Sequence, residues 1–314
     1  MRQLRSMASP LGARAENGPA GGARRQPCRE GKFSYRDNDA TYTSGAPDAE
    51  SWNHPMEVFI VSTSQPSFAA EQYSARANDY LTSEVHRRGA DLDQIESLLR
   101  DHRPARLLDL GCGGGHVSYR AAPLVDQVMA CDVTASMLAT VQAAAIEQGL
   151  TNITVQQAPA ERLPFDDDSF DIVVARFTTH HWQQRDNGLR EARRVLKPGG
   201  RAVFIDVIAP EDPLLDTYLQ AIEVLRDISH VRNYRLTEWI AALAQAGFAI
   251  ESLTPRRLPL RFDDWVARTK TAAEHVAAIH SLQRHAPPEV REHFAVAADG
   301  SFTLDTITLT ASTA

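Results

Sequence analysis

The sequence predicts an α/β protein built on a doubly wound, mainly parallel sheet. Apolar runs of strand length alternate with helical patterns from about residue 91 onward. The first of these runs, residues 105–110, passes directly into a turn with four glycines among five residues, 111–115. A helical pattern follows from about Val117. Strand, glycine turn and helix together form the nucleotide cradle of a Rossmann-like fold.

Residues 1–64 differ in composition from the rest of the chain. Large apolar residues are scarce there until residues 58–61, so the segment cannot bury enough surface to offset its ordering entropy. We expect a disordered N-terminal extension over residues 1–64 and one domain over residues 65–314. Two other interpretations stay open: an arginine-rich organellar transit peptide, or a start codon placed too early, with Met56 nearer the true start.

Composition argues against several classes of function. The net charge is −7, and no stripe of Lys and Arg suggests nucleic-acid binding. No apolar run reaches the roughly 18 residues that a membrane-spanning helix needs. The three cysteines, Cys28, Cys112 and Cys131, have neither metal nor disulfide spacing. We therefore expect a cytoplasmic protein without a metal site, acting on a small molecule.

The second strand is predicted at residues 125–130 and is followed by Cys131-Asp132. Asp132 lies 21 residues after Gly111. A carboxylate near that offset, at the tip of the second strand, accepts hydrogen bonds from ribose hydroxyls. The alternative role for Asp132 is a charge at the start of the next helix, near Thr134.

The remaining elements continue the alternation of strands and helices. A helix is predicted before the cradle, at 91–100, and a proline-glycine stop at 197–200 is expected to turn into the fifth strand. Segments 211–234 and 258–296 are expected to form helical lids over a substrate pocket. The other predicted strands are 153–156, 171–177, 201–207, 248–253 and 302–309, and the other predicted helices are 189–196, 216–228, 237–246 and one around 272–279.

The glycine spacing distinguishes a dinucleotide-binding turn from a turn that binds another kind of nucleotide. The dinucleotide fingerprint G-x-G-x-x-G fails at His116, and the turn reads G-x-G-G-G with Asp109 two residues ahead of it. This pattern resembles motif I of the class I S-adenosylmethionine (SAM) methyltransferases. The resemblance implies that Asp109, Gly111 and Gly113 hold the amino-acid end of SAM while Asp132 holds its ribose. A glycine-rich turn without a ligand is the alternative.

Residues 158–171 resemble the same family's G-D-A-E-x-L-P-F loop and the S-F-D that opens its fourth strand. The resemblance implies an adenine site at Ala160 and Glu161, with Met137 packing either on the adenine or in the core. Pro159 departs from the family's Asp, so the polar contact assigned to that side chain cannot form. Arg176 lies at the carboxyl end of the fourth strand, at the edge where open parallel sheets bind ligands, and is therefore a candidate cofactor-binding residue.

Two positions are candidates for catalysis. Tyr80 closes an aromatic-x-x-x-Ala-x-x-Tyr segment that resembles the part of small-molecule methyltransferases folding over the cofactor, where its ring could stabilise the sulfonium cation. Helix packing is the alternative for Tyr80. His181 is the first candidate for a general base and His180 the second, since both follow the fourth strand. A structural role beside Trp182 is the alternative for both, and Asp206 is a secondary site candidate.

Residues 68–312 as a whole resemble a bacterial subgroup of type-11 methyltransferases related to the ubiquinone/menaquinone biosynthesis C-methyltransferases. The Arg-Phe-x-x-His-His-Trp block at 176–182 and the segments 225–234 and 265–268 carry this resemblance. It implies seven strands in the order 3-2-1-4-5-7-6, with strand 7 antiparallel.

The expected function is methyl transfer from SAM to a carbon or oxygen of a small molecule. The Asp/Asn-Pro-Pro-Tyr tetrad of base-amine methyltransferases is missing after the fourth strand, which disfavours a nucleobase amine as acceptor. A non-catalytic SAM-binding protein with a structural or regulatory role is the alternative. A nicotinamide-dependent oxidoreductase is disfavoured because His116 stands at the third glycine position.

Overall fold

The computed structural model describes residues 64–74, 89–102 and 106–313. Contacts divide the chain into residues 1–59 and 60–314, and all described residues belong to the second unit. Apart from Ser64, the predicted N-terminal extension lies outside the described residues. None of the helices in the described ranges combines the length and apolarity required to cross a membrane.

A single sheet in the order β3-β2-β1-β4-β5-β8-β7 organises the described residues. Strands β1 to β5 are parallel, whereas β8 runs antiparallel to β5 and β7. The two-residue β6 pairs only with the end of β5. Without β6, this is the predicted order 3-2-1-4-5-7-6. The strands are β1 (Arg106–Leu110), β2 (Gln127–Asp132), β3 (Ile153–Gln157), β4 (Phe170–Arg176), β5 (Leu196–Ala209), β6 (Tyr234–Arg235), β7 (Phe248–Leu260) and β8 (Phe302–Thr313).

Helices cover both faces of this sheet, as expected for parallel strands with near-continuous apolar runs. One face of the sheet packs on α2 and α3, and the other packs on α5 and α7. The helices in the described ranges are α1 (Gln65–Ser74), α2 (Ala90–His102), α3 (His116–Ala121), α4 (Ala135–Glu147), α5 (Arg185–Val195), α6 (Pro213–Arg226), α7 (Leu236–Gln245), α8 (Phe262–Arg268), α9 (Ala273–His285) and α10 (Pro288–His293).

A second apolar core lies where the last strands extend beyond the parallel part of the sheet. Helices α6, α8, α9 and α10 pack there against the ends of β5, β7 and β8. Trp265 and Phe262 are each 2% exposed at the centre of this core. The helices of the predicted lid segments are therefore held on the sheet by buried aromatic side chains.

Strands β5 and β7 extend furthest beyond their predicted bounds, and β8 also continues past residue 309 to Thr313. Strand β7 continues to Leu260 rather than ending at residue 253, although Pro255 and Pro259 lie within it. Proline is tolerated because β7 forms the edge of the sheet and needs partners on one side only. Strand β5 starts at Leu196, and its register with β4 shifts beside the predicted 197–200 stop.

Candidate functional site

The glycine turn after β1 fits tightly against the rest of the protein. The amides of Gly111 and Cys112 donate hydrogen bonds to the Cys131 carbonyl, at 2.8 and 2.9 Å. Gly111 has φ of 71°, and a Cβ there would overlap the side chain of Thr178. Gly113 has φ of 49°, but a Cβ there would meet nothing within 4 Å. The turn is therefore packed on one side and open at Gly113.

Asp132 joins this turn to the following helix. One of its carboxylate oxygens accepts a hydrogen bond from the Gly113 amide and the other from the Thr134 amide, both at 2.9 Å. Burial raises the pKa of Asp132, and these donors offset part of that rise. The Thr134 side chain and the Val133 amide also donate to this carboxylate and lower its pKa, so Asp132 holds the turn against the start of α4.

Asp109 lies behind the turn and is only 1% exposed. One of its oxygens accepts hydrogen bonds from the Ser118 amide at 3.0 Å and the Ser118 hydroxyl at 2.6 Å. Burial raises the pKa of Asp109 to about 7, and the nearby charge of Asp132 adds to this rise. Its side chain is thus fixed by the start of α3, at the N-terminus of a helix that follows directly from the turn.

A cavity of about 990 Å³, its open mouth included, lies at the carboxyl edge of the parallel strands. Ligands in open parallel sheets bind at this edge. The turn and α4 line one end, β7, β8 and α8 line the other, and the residues after β4 lie between. The lining includes Gly111, Gly113, Asp132, Met137, Phe177, Thr178, His180, His181, Glu223, Arg226, Asn233, Leu258, Leu260, Trp265 and Leu304.

A smaller adjoining cavity of about 410 Å³ is lined by Ala160 and Glu161. Gly111, Asp132 and His181 line both cavities. Seven of the predicted site residues therefore lie together around this space: Gly111, Gly113, Asp132, Met137, Ala160, Glu161 and His181.

Three predicted residues lie elsewhere. Asp109 is behind the turn rather than on the cavity wall. The Arg176 side chain forms a buried ion pair with Asp91 of α2, with 2.5 Å between Nε and Oδ2. Tyr80 falls outside the described residues. The roles assigned to these three residues remain predictions.

The side chains of His180 and His181 contact different hydrogen-bond partners, although the two residues are adjacent in the chain. The Nδ1 atom of His180 lies 2.6 Å from Oδ1 of Asp206, and the His180 amide donates to the other Asp206 oxygen at 3.2 Å. Burial alone would lower the pKa of His180, but the Asp206 charge and hydrogen bond raise it. The His181 Nδ1 atom lies 3.2 Å from the Ser229 carbonyl, and burial lowers the pKa of His181 to about 4.

Asn233 is a cavity residue that the sequence did not indicate. It is 1% exposed, and its Nδ2 has no hydrogen-bond acceptor among the described residues. The backbone of Asn233 is held in place by the Gln220 side chain, which accepts a hydrogen bond from the Asn233 backbone amide and donates one to the Asn233 backbone carbonyl. The signal that identifies Asn233 is a buried side-chain amide without a hydrogen-bond acceptor. This signal can be recognised in the structure but not in the sequence.

The comparisons with known proteins agree with this geometry. Residues 108–204 match the family model of the type-11 methyltransferase domain. The chain is 45% identical over 197 residues to the uncharacterised protein YafE of Escherichia coli, covering 63% of this chain and 95% of YafE. It is 36% identical over 224 residues to YcgJ of Bacillus subtilis, an uncharacterised methyltransferase, covering 71% of this chain and 88% of YcgJ.

The chain belongs to the SAM-dependent methyltransferases. The crystal structure of YcgJ shares the fold of this methyltransferase, with a TM-score of 0.68 over 71% of this chain and 98% of YcgJ. The ubiquinone/menaquinone biosynthesis C-methyltransferase UbiE of Cellvibrio japonicus is 35% identical over 149 residues. That match covers 45% of this chain and 59% of UbiE, so it spans less than two thirds of that enzyme.

The cavity of this methyltransferase fits the family's cofactor. At Gly113 the turn leaves its backbone open, which allows a ligand to approach closely. Asp132 brings a carboxylate to the cavity wall one strand away, the position at which this fold class binds a ribose. No cluster of three or more His, Cys, Asp or Glu side chains suited to a metal ion occurs within the described ranges.

Proposed function

We propose that this enzyme transfers the methyl group of SAM to a carbon or an oxygen of a small-molecule acceptor. The observation that supports this proposal is the continuity of one cavity from the glycine turn to a chamber between α6, α8, β7 and β8. Leu258, Leu260, Leu304 and Trp265 from β7, β8 and α8 form the apolar part of its wall. The charged residues Glu223 and Arg226 of α6 and Arg268 of α8 also line the cavity. An acceptor with an apolar body would bury its surface there and leave its reacting atom toward the turn.

The turn end would hold the cofactor, which supplies an electrophilic methyl group when bound. Gly111 and Gly113 would contact its amino-acid end through the backbone. The buried charge of Asp109 would favour its ammonium group from behind the turn. Asp132 would accept hydrogen bonds from the ribose hydroxyls. We propose that Met137, Ala160 and Glu161 surround the adenine base.

The rest of the cavity would contribute positioning and exclusion of water. Phe177 and Thr178 follow β4, between the turn and the chamber. Trp265 is almost fully buried, and the side chains of α6 cover the chamber from another side. Such a site holds two reactants in line and lowers the entropic part of the barrier.

Methyl transfer can be tested with SAM carrying an isotopically labelled methyl group and a panel of phenols, quinols and carboxylic acids. We expect S-adenosylhomocysteine to form only in the presence of certain acceptors, with the label appearing in the acceptor by mass spectrometry. Mass spectrometry of ligands retained through purification would guide the choice of panel. Binding of SAM without transfer to any acceptor would support the non-catalytic alternative and contradict the proposal.

A further inference from the structure

Three histidines gather beside the chamber, but they differ in their hydrogen bonds. The ring centroids of His180 and His181 are 4.2 Å apart, and those of His180 and His230 are 5.7 Å apart. His180 pairs with a carboxylate, that of Asp206 near the end of β5. His181 faces the Ser229 carbonyl, and His230 Nε2 lies 3.1 Å from the Gln220 amide oxygen.

We propose that His180 removes a proton from the acceptor, that Asp206 positions its ring, and that Asn233 binds the acceptor oxygen. This inference rests on the proposed function. It narrows the acceptor to a molecule with a weakly acidic hydroxyl group next to an apolar body. It also replaces His181 by His180 as the first candidate for the general base.

The hydrogen bond to Asp206 determines which nitrogen of the neutral His180 ring carries the proton. Asp206 is 1% exposed and accepts a hydrogen bond from the Val207 amide, so its carboxylate cannot turn away. With Nδ1 donating to this carboxylate, the neutral ring carries its lone pair on Nε2. His180 lines the cavity, and its side chain is 14% exposed. Nε2 has no hydrogen-bond partner elsewhere in the described part of the chain.

The proton step is balanced within the site. The O–H bond of the acceptor breaks, its electron pair stays on oxygen, and the proton forms a new N–H bond at Nε2. Asp206 then faces an imidazolium cation and stabilises it. The resulting oxyanion, when conjugated with a ring or double bond, is nucleophilic at oxygen and at carbon. One acceptor class therefore accounts for both of the proposed acceptor atoms.

His181 and His230 are less suited to this step. Burial, together with the neighbouring histidines, lowers the pKa of His181 to about 4 and that of His230 to about 2. Glu223 of α6 raises the pKa of His180 in addition to Asp206, whereas Arg226 lowers it. His180 is thus the strongest base of the three near neutral pH.

Asn233 lies close to His180 through the backbone. The amides of Val231 and Arg232 donate to the His180 carbonyl, at 2.9 and 3.1 Å, so the segment before Asn233 is tied to the histidine. A buried amide without an acceptor is costly, and a ligand oxygen would remove that cost. An Asn233 donor would also favour the acceptor's oxyanion over its neutral hydroxyl.

The test uses 4-nitrophenol as probe, because its phenolate absorbs visible light and its phenol does not. The full-length protein is saturated with S-adenosylhomocysteine, and the probe is added at a pH where it is mostly neutral in water. We expect the bound probe to be ionised at least about fivefold more than the free probe. Histidine ¹⁵N spectra of the same complexes report the tautomer and pKa of His180.

Matched variants separate the three roles. In His180→Gln the probe should still bind without excess ionisation, and in Asn233→Ala its Kd should rise about tenfold. In Asp206→Asn the pKa of His180 should fall and the excess ionisation should decrease. His275→Gln serves as the control, since His275 bonds the Leu225 carbonyl away from the cavity wall. Thermal melts check that each variant is folded.

The possible results distinguish this inference from the proposed function. Excess ionisation that persists in His180→Gln would overturn the role of His180. Failure of the probe to bind while S-adenosylhomocysteine binds would overturn the acceptor class and leave the methyltransferase function intact. Failure of S-adenosylhomocysteine itself to bind would remove the proposed function as well.

Discussion

At the scale of single residues, the negative charge of Asp109 lowers the stability of the folded protein because the carboxylate is buried. Its pKa is about 7 in the folded protein against 3.8 as the ordinary value. Because the folded-state value is the higher one, ionisation of Asp109 destabilises the fold progressively as the pH rises from 3.8 to about 7. The cost is then constant at higher pH.

Asp109→Asn should therefore stabilise the cofactor-free protein. The amide oxygen of Asn can still accept from both Ser118 donors, and the charge is gone. We expect a gain of about 1 kcal/mol or more at about pH 8 and a smaller gain at about pH 5. Chemical denaturation at the two pH values measures it. A variant less stable than the parent at the higher pH would show that burial of this carboxylate is not costly.

Gly111 and Gly113 should respond differently to alanine although both have positive φ. A Cβ at Gly111 would overlap the Thr178 side chain, whereas at Gly113 it would point into open space. We expect Gly111→Ala to lose at least about 2 kcal/mol of stability, from strain and overpacking together. Gly113→Ala should lose only about 1 kcal/mol but weaken SAM binding.

Denaturation and cofactor titration of both glycine variants provide the comparison. Equal stability losses would mean that the contact with Thr178 does not constrain Gly111. Unchanged SAM affinity in Gly113→Ala would mean that the open side of the turn does not face the cofactor.

At the scale of elements, helix α6 depends on its cap. The Asp212 carboxylate accepts hydrogen bonds from the Leu214 and Leu215 amides, and Pro213 occupies the first helical position. Asp212→Ala should cost about 1 kcal/mol, and Asp212→Asn should keep most of the stability. Thermal melting of the two variants tests this, and similar losses in both would assign the effect to the Asp212 charge rather than to the cap.

The alternation of apolar strands and amphipathic helices was sufficient to predict seven of the eight strands of the sheet within the described residues, and the two-residue β6 was missed. Strand lengths were less predictable where tertiary context overrides local preference. The sequence predicted an end for β7 at residue 253, but only the edge position in the sheet shows why the strand continues past Pro255. The lengths of β5 and β7 matter for the proposed function, since residues near the ends of both strands line the cavity.

At the scale of the whole molecule, the site combines segments that are far apart in the chain. Glycine spacing and the offset of Asp132 were enough to predict that the turn and this carboxylate lie together, because both belong to one strand-helix-strand unit. Their contact with the cofactor stays a prediction. The acceptor end could not be predicted in the same way. His180 meets Asp206, and the segment leading to Asn233 bonds back to His180, only after the strands are ordered and α6 packs on them.

The central claim is that the glycine turn and Asp132 bind SAM, and calorimetric titration with S-adenosylhomocysteine tests it most directly. We expect saturable binding by the full-length protein and a loss of at least about tenfold in affinity for Asp132→Ala. Asp126→Ala, which changes an exposed aspartate just before β2, should bind like the parent protein. Absence of binding by the parent, or equal affinity for parent and Asp132→Ala, would contradict the account.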